Sequence, residues 1–224
     1  MSRNKYPEET IQKIIEIAFR LFREKGYDET SIQDIVDELG MSKGAIYYHF
    51  KSKEDILDKI CHQYYDDMNW YEDIVRDTTL NGLQKLQKLF LFELTDKTKR
   101  EIDIISLPML DNPRIVTSEL ESAIELVAPL LEKLIRQGVQ DGSLQVKSPK
   151  DAAEVMILLI NFWINPGLFP ADRERFMQKV RFYKEVTDGI GLPLIEDSFF
   201  SVCEDYYNAV YAERNDRLAG QNRG

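Results

Sequence analysis

The chain has 224 residues, 43% of them hydrophobic and 30% charged, with 11 glycines and 8 prolines. That length supports one large or two smaller globular units with a sizeable core, and the composition excludes wholesale disorder. The formal net charge of −10 excludes a protein that coats nucleic acid over its whole surface, since such binding rests on neutralising many phosphates.

The charge is unevenly spread. Residues 1–53 hold nine basic and nine acidic side chains, and the remainder holds 20 basic and 30 acidic. A protein that touches DNA at one small surface fits this balance better than one that wraps it. Glu8, Glu9 and Glu16 interrupt any apolar run at the N-terminus, so no signal peptide is expected. The most apolar stretch, 155–164, contains Asn161 and is well short of the ~20 residues of a membrane span. Cys61 and Cys203 stand apart without metal-type spacing, which argues against a disulfide framework or a zinc site. The expectation is a cytoplasmic protein with no cofactor, no metal and no membrane partner.

Helical periodicity runs through the chain. Ile11, Ile14, Ile15, Ala18 and Phe22 mark a first helix ended by Gly26. Thr30 and Ser31 can cap a second, Ser31–Leu39, with Gln33 and Asp34 placed for a capping box. Gly40-Met41-Ser42 then supplies a helix end, a tight turn and a new cap. Ser52, with Glu54 and Asp55 in the first turn, opens a long fourth helix through Tyr64 and Met68 towards Val75.

The larger remainder is also read as helical. Leu83, Leu86, Leu89, Phe90 and Leu94 form one stripe, and Asp111-Asn112-Pro113 breaks the chain. A helix over Glu119–Gln137 is expected to bend at Pro129. Ser148-Pro149 opens a helix to Ile164, stopped by Asn165-Pro166-Gly167. Further helices are expected over Ala171–Thr187 and Ile195–Glu213, and the polar tail 215–224 is expected to fray. The fold class is all-α, with domains at 1–53 and 54–214.

The stretch Gly40–Lys53, GMSKGAIYYHFKSK, has three lysines, a histidine, two tyrosines and no acid. Ile46 and Phe50 fall on one helix face and can pack on Ile32, Ile35, Val36 and Leu39, leaving Gly44 and Tyr48 roughly opposite, with Lys43 and Tyr47 at the edges. This is the pattern of a helix-turn-helix whose second helix enters the DNA major groove.

Residues 18–57, AFRLFREKGYDETSIQDIVDELGMSKGAIYYHFKSKEDIL, resemble the N-terminal domain of the TetR family of bacterial transcriptional regulators. The resemblance implies a homodimer with two DNA-binding heads on a palindromic operator. It also implies a helical C-terminal body for a small effector and for dimerisation. Ser42 can cap the third helix with its N–H groups facing an incoming phosphate; carried over, the resemblance places Thr30 and Ser31 near phosphate and Lys43, Gly44 and Tyr47 towards the groove. Tyr48, His49 and Lys53 would grip the backbone, with Arg3 and Lys5 as a flexible arm.

The rest of the body is less specific. Candidate pocket residues are Tyr64, Met68, Trp70, Tyr71, Phe90, Phe92, Met109, Phe162 and Trp163, with Glu93 and Asn161 as polar groups in apolar company. The acid excess is compatible with a cationic, lipophilic effector. Candidate dimer residues are Val155, Leu159 and Trp163 on one helix and Phe199, Cys203, Tyr206 and Val210 on the last, although both faces also read as ordinary core. No nucleophile–base constellation or phosphate loop points to an enzyme. The competing readings are an adaptor whose body binds a protein partner, and an activator.

Overall fold

The structure, a computed structural model, describes residues 7–66 and 69–212. The expected arm residues Arg3 and Lys5, the pocket candidate Met68 and the tail 215–224 lie outside the described residues. No strand occurs among those described. The helices are α1 (Pro7–Lys25), α2 (Ile32–Leu39), α3 (Lys43–His49), α4 (Lys53–Asp66), α5 (Asn69–Arg76), α6 (Gly82–Thr95), α7 (Lys97–Ser106), α8 (Pro113–Ser122), α9 (Ala128–Asp141), α10 (Pro149–Leu158), α11 (Arg173–Gly189) and α12 (Asp197–Val210).

By packing, the described residues up to 66 together with Glu101–Met109 form one unit, and Asn69–Arg100 with the residues from Leu110 onward form a second. The first unit therefore includes α4, which lies beyond the boundary at 53 expected from the sequence. It also takes the C-terminal part of α7, from Glu101.

Local chemistry explains the boundaries in the first unit. Gly26 ends α1 at φ 89, a left-handed conformation that favours glycine. Ser31 caps α2 with a complete capping box: its hydroxyl accepts the Asp34 N–H, and the Asp34 carboxylate accepts the Ser31 N–H. The core joins Ile14, Ile15, Ala18, Leu21 and Phe22 of α1 to Ile35 and Val36 of α2, Ile46 of α3, Phe50, and Ile56, Leu57 and Ile60 of α4. Ile102 and Ile105 of α7 complete it.

In the second unit α6 packs on α5, α9 and α12, α9 on α10, and α11 on α12. The ends are tied across helices. Asp141 at the end of α9 accepts the Gly82 N–H at 2.8 Å, and Ser143 Oγ accepts the Leu83 N–H at 3.2 Å, so α9 helps cap α6. Lys85 and Lys179 are buried lysines that lay their apolar stems into the core and donate to backbone carbonyls, of Val75 at 2.6 Å and Trp163 at 2.6 Å respectively.

The helix expected over Glu119–Gln137 is longer and is interrupted differently. The chain is helical from Pro113 to Asp141, with a π-helical turn at Ala123–Val127 in which the Ala128 N–H reaches back to the Ala123 carbonyl. Pro129, which has no N–H to give, follows this wide turn directly. A second π turn, Leu159–Trp163, ends the α10 segment, with the Ile164 N–H donating to the Leu159 carbonyl at 2.8 Å.

Candidate nucleic-acid interface

The helix-turn-helix is built from short-range bonds. Gly40 leaves α2 at φ 62, and the N–H groups of Gly40 and Met41 close onto the Asp37 and Val36 carbonyls at 3.4 and 3.3 Å. Ser42 then caps α3, its hydroxyl accepting the Ala45 N–H at 3.3 Å. Phe50 ends α3 in extended conformation while its N–H still bonds to Ile46. Ile46 and Phe50 point inward and are buried, with Ile35 and Val36 across from them and Ile32 and Leu39 packed at the edge.

That inward face decides what points out. Ser42, Lys43 and Gly44 are exposed, Tyr47 is 46% exposed and Tyr48 80%. His49 is half-buried, its ring edge-on to Tyr48 at 4.9 Å. The Lys43 ammonium lies 5.9 Å from the Tyr47 ring centre. No acid lies between Gly40 and Lys53, so the surface offers a cation, two phenols and an open helix face to a polyanion.

Two expected phosphate contacts have other duties in the structure. Thr30 is 1% exposed: its hydroxyl donates to the Gly26 carbonyl at 2.7 Å and approaches the Leu21 carbonyl at 3.3 Å, closing the α1–α2 turn from inside. Ser31, one residue on, is exposed and takes the capping position alone. Lys53 is half-buried, and its ammonium donates to the carbonyls of Tyr27 at 2.6 Å and Asp28 at 3.3 Å. Sequence reasoning missed this clamp because its partners stand 26 and 25 residues away.

Electrostatics reinforce the α2 start. Hydrogen bonds from the Lys25 ammonium and from the Ser31 hydroxyl and N–H hold the Asp34 carboxyl well below the usual carboxylate range. Lys25 and Asp34 are 2.8 Å apart, and Arg20 bridges Glu24 of its own helix and Glu38 of α2. These pairs are exposed and act more on geometry than on stability.

The expected pocket residues fall into separate settings. Tyr64 and Met109 pack against the core of the first unit. In the second, Phe90 stacks between Tyr183 and Phe199 at 6.4 and 5.9 Å, and Trp70 stacks on Phe92 at 4.2 Å and meets Tyr71 edge-on. Phe162 is half-buried. Glu93 pairs with Lys99 at 3.7 Å. Asn161 is exposed, with its carbonyl accepting from Asn165, so it is not the buried polar group its apolar neighbours suggest. An open cleft of about 490 Å³ lies against α11, lined by Trp163, Arg175, Gln178, Lys179, Arg181, Phe182 and Glu185. Of the expected pocket residues only Trp163 lines it.

The expected dimer residues also divide. Val155 is exposed, and Leu159 and Trp163 are half-buried. Phe199, Cys203 and Val210 are buried within their own chain, because α12 spends its apolar stripe on α6 and α11. They are core rather than interface. Tyr206 is half-buried, with the Arg100 guanidinium 6.0 Å from its ring centre.

Comparison with known proteins agrees with this division of the chain. Residues 14–60 match the profile of bacterial regulatory proteins of the tetR family, and residues 110–186 match a tetracyclin repressor-like C-terminal domain. The HTH-type transcriptional repressor KstR2 of Mycobacterium tuberculosis is 30% identical over 139 residues, covering 58% of this chain. The match spans 66% of that repressor, a little under two thirds of its length. A TetR transcription regulator from Haloarcula marismortui superposes with a TM-score of 0.60 at 22% identity, covering 81% of this chain and 98% of that one. A regulator from Saccharomonospora viridis, solved in complex with choline, superposes with a TM-score of 0.56 at 20% identity, covering 80% and 96%. At these identities the two structures establish the fold alone.

Proposed function

Because the chain belongs to the TetR family of transcriptional regulators, a family of DNA-binding proteins and not of enzymes, we propose that it is a homodimeric repressor of a palindromic operator, released by a small effector. The observation that carries this reading is the orientation of α3. Ile46 and Phe50 are locked into the core, so Lys43, Gly44, Tyr47 and Tyr48 stand outward on an acid-free face. A helix of this kind reads base edges in the major groove, while Ser31, Ser42, Tyr48 and His49 grip the backbone and set the register.

Two such helices spaced by about one turn of DNA, roughly 34–36 Å, match an inverted repeat. The pairing surface is centred on α10 and its continuation, where Val155 is open and Leu159 and Trp163 are partly open. An effector acts through its differential affinity for the DNA-competent and DNA-incompetent states. The α11 cleft carries Arg175, Lys179 and Arg181 against Glu185 alone, together with the aromatic pair Trp163 and Phe182, which meet edge to face at 5.7 Å. This lining favours an anion with an apolar body over the cation suggested by the acidity of the whole chain, and over choline, the molecule bound by the Saccharomonospora relative.

The test is selection of duplexes from a random pool by the purified protein. Enriched inverted repeats, bound with an affinity that falls steeply as salt rises, are expected. Recovery of no common sequence would overturn the reading.

A further inference from the structure

The first residue of α4 closes a turn that lies far from it in the chain. Lys53 Nζ donates to the Tyr27 and Asp28 carbonyls at 2.6 and 3.3 Å, and stands 4.1 Å from the centre of the Tyr27 ring. Tyr27 is itself buried against Phe22, ring edge to ring at 5.1 Å. The Tyr27 carbonyl also accepts the Thr30 N–H at 3.2 Å, and Thr30 is followed directly by Ser31, the cap of α2. The Lys53 ammonium and the start of α2 therefore share one carbonyl.

An ammonium has three donors and no acceptor. Two of those donors end on backbone carbonyls here, and an aromatic face lies beside them, a favourable seat for a cation. Glu54, beside Lys53 on α4, interacts electrostatically with the ammonium, and both Glu54 and Asp28 act on the Tyr27 phenol, so the surroundings of the seat are acidic. Leaving the seat for a DNA phosphate would take one donor from each of the two carbonyls, leave the Tyr27 carbonyl to the Thr30 N–H alone, and forfeit the ring contact.

We infer that Lys53 is a positioning residue for DNA reading: its ammonium locks the first turn of α4 to the α1–α2 turn and thereby fixes where α2 begins. It does so without giving its charge to a phosphate. This assignment rests on the DNA-binding reading above. It also makes the start of α4 and the start of α2 move together, so any displacement of α4 reaches the helix-turn-helix through this clamp.

Backbone amide exchange on the DNA-free protein tests the clamp, and a salt titration with a selected duplex tests its consequence. Lys53→Met keeps the stem and removes the charge. It is expected to speed exchange at the Thr30 N–H roughly tenfold, weaken duplex binding by a similar factor and leave the slope of log affinity against log salt unchanged. Unchanged exchange, with a slope reduced by about 0.9 for each phosphate lost, would make Lys53 a phosphate contact and overturn the inference.

Lys53→Arg keeps the charge but presents a planar fork in place of a compact ammonium, and serves if the methionine variant does not fold. Weakened binding with an unchanged salt slope supports the clamp, whereas wild-type affinity for this variant overturns it. If the wild-type protein selects no duplex, the DNA-binding reading fails. The exchange measurement still decides whether Lys53 holds the turn.

Discussion

Gly82 and Gly138 cross with no room between them. A Cβ added to Gly82 would lie 2.2 Å from the Gly138 nitrogen and 2.7 Å from the Leu134 carbonyl oxygen. Both obstacles are helix backbone, which cannot turn aside. A Cβ on Gly138 would instead meet the Leu144 side chain, with its nearest methyl at 2.5 Å, and that side chain can turn in part. Gly82→Ala is therefore expected to destabilise the second unit by about 3 kcal/mol or more, and Gly138→Ala by less. Urea denaturation of the two variants measures this, and equal small losses would mean that α6 and α9 have room to separate.

Gly44 is the opposite case. Nothing lies within 4 Å of a Cβ added there, and the residue sits in α3 with ordinary helical backbone. Gly44→Ala is expected to raise stability by up to about 1 kcal/mol, because alanine loses less freedom on entering a helix. The same methyl stands on the face offered to DNA and should weaken duplex binding. Opposite signs in a melting curve and an anisotropy titration are the result to look for.

Tyr47→Ala and Tyr48→Ala remove exposed rings that leave the core packing of α3 intact. Each is expected to weaken duplex binding by roughly tenfold or more with little change in melting temperature. Full retention of affinity in both variants would remove α3 from the contact surface.

The α2 cap gives a pH prediction. Asp34 is held below the usual carboxylate range by its bonds from Lys25 and Ser31, so the folded state favours its ionised form. A depressed carboxyl contributes its full stabilisation above its unfolded pKa, about 4, and loses it as pH falls towards the folded value. Asp34→Asn should thus be less stable than the wild type at neutral pH, and the gap should narrow below about pH 4. Ser31→Ala, which removes the hydroxyl of the same box, should cost about 1 kcal/mol at neutral pH.

Cys203 is buried and its thiol is pushed up to about 12 by burial, whereas Cys61 is partly exposed. A thiolate is the reactive species, so an aromatic disulfide reagent should titrate at most one thiol in the native protein. The second should react only as fast as the chain opens. Rapid reaction of both would contradict the packing of α12.

The local grammar of the chain was legible because caps and stops act within a few residues. Ser31, Ser42, Gly40, Pro113 and Pro149 mark helix ends in the structure as their chemistry demands. The inward placement of Ile46 and Phe50 followed from their spacing alone. What escaped was non-local. Thr30 and Ser31 are adjacent and chemically alike, and only the carbonyls of Leu21 and Gly26 decide that one turns in and the other out. Lys53 reads as a phosphate ligand until the turn at Tyr27 is brought beside it. The aromatic face of α12 is equally suited in sequence to a partner copy or to its own subunit, and only packing on α6 and α11 shows that Phe199, Cys203 and Val210 are buried within their own chain. Asn161 is exposed although its neighbours in sequence are apolar, because neighbours in sequence are not neighbours in space once a helix has turned.

Ala123 and Ala128 are both buried, five residues apart. On a regular α-helix a step of five residues turns the side chains roughly 140° away from each other. The π turn between them absorbs that excess and lets the segments before and after it each keep a face towards the protein. In register terms the helix carries one residue more than its packing needs. Deleting a residue between these alanines would restore α-helical phase, so the capacity of this chain to gain or lose residues is not confined to its loops.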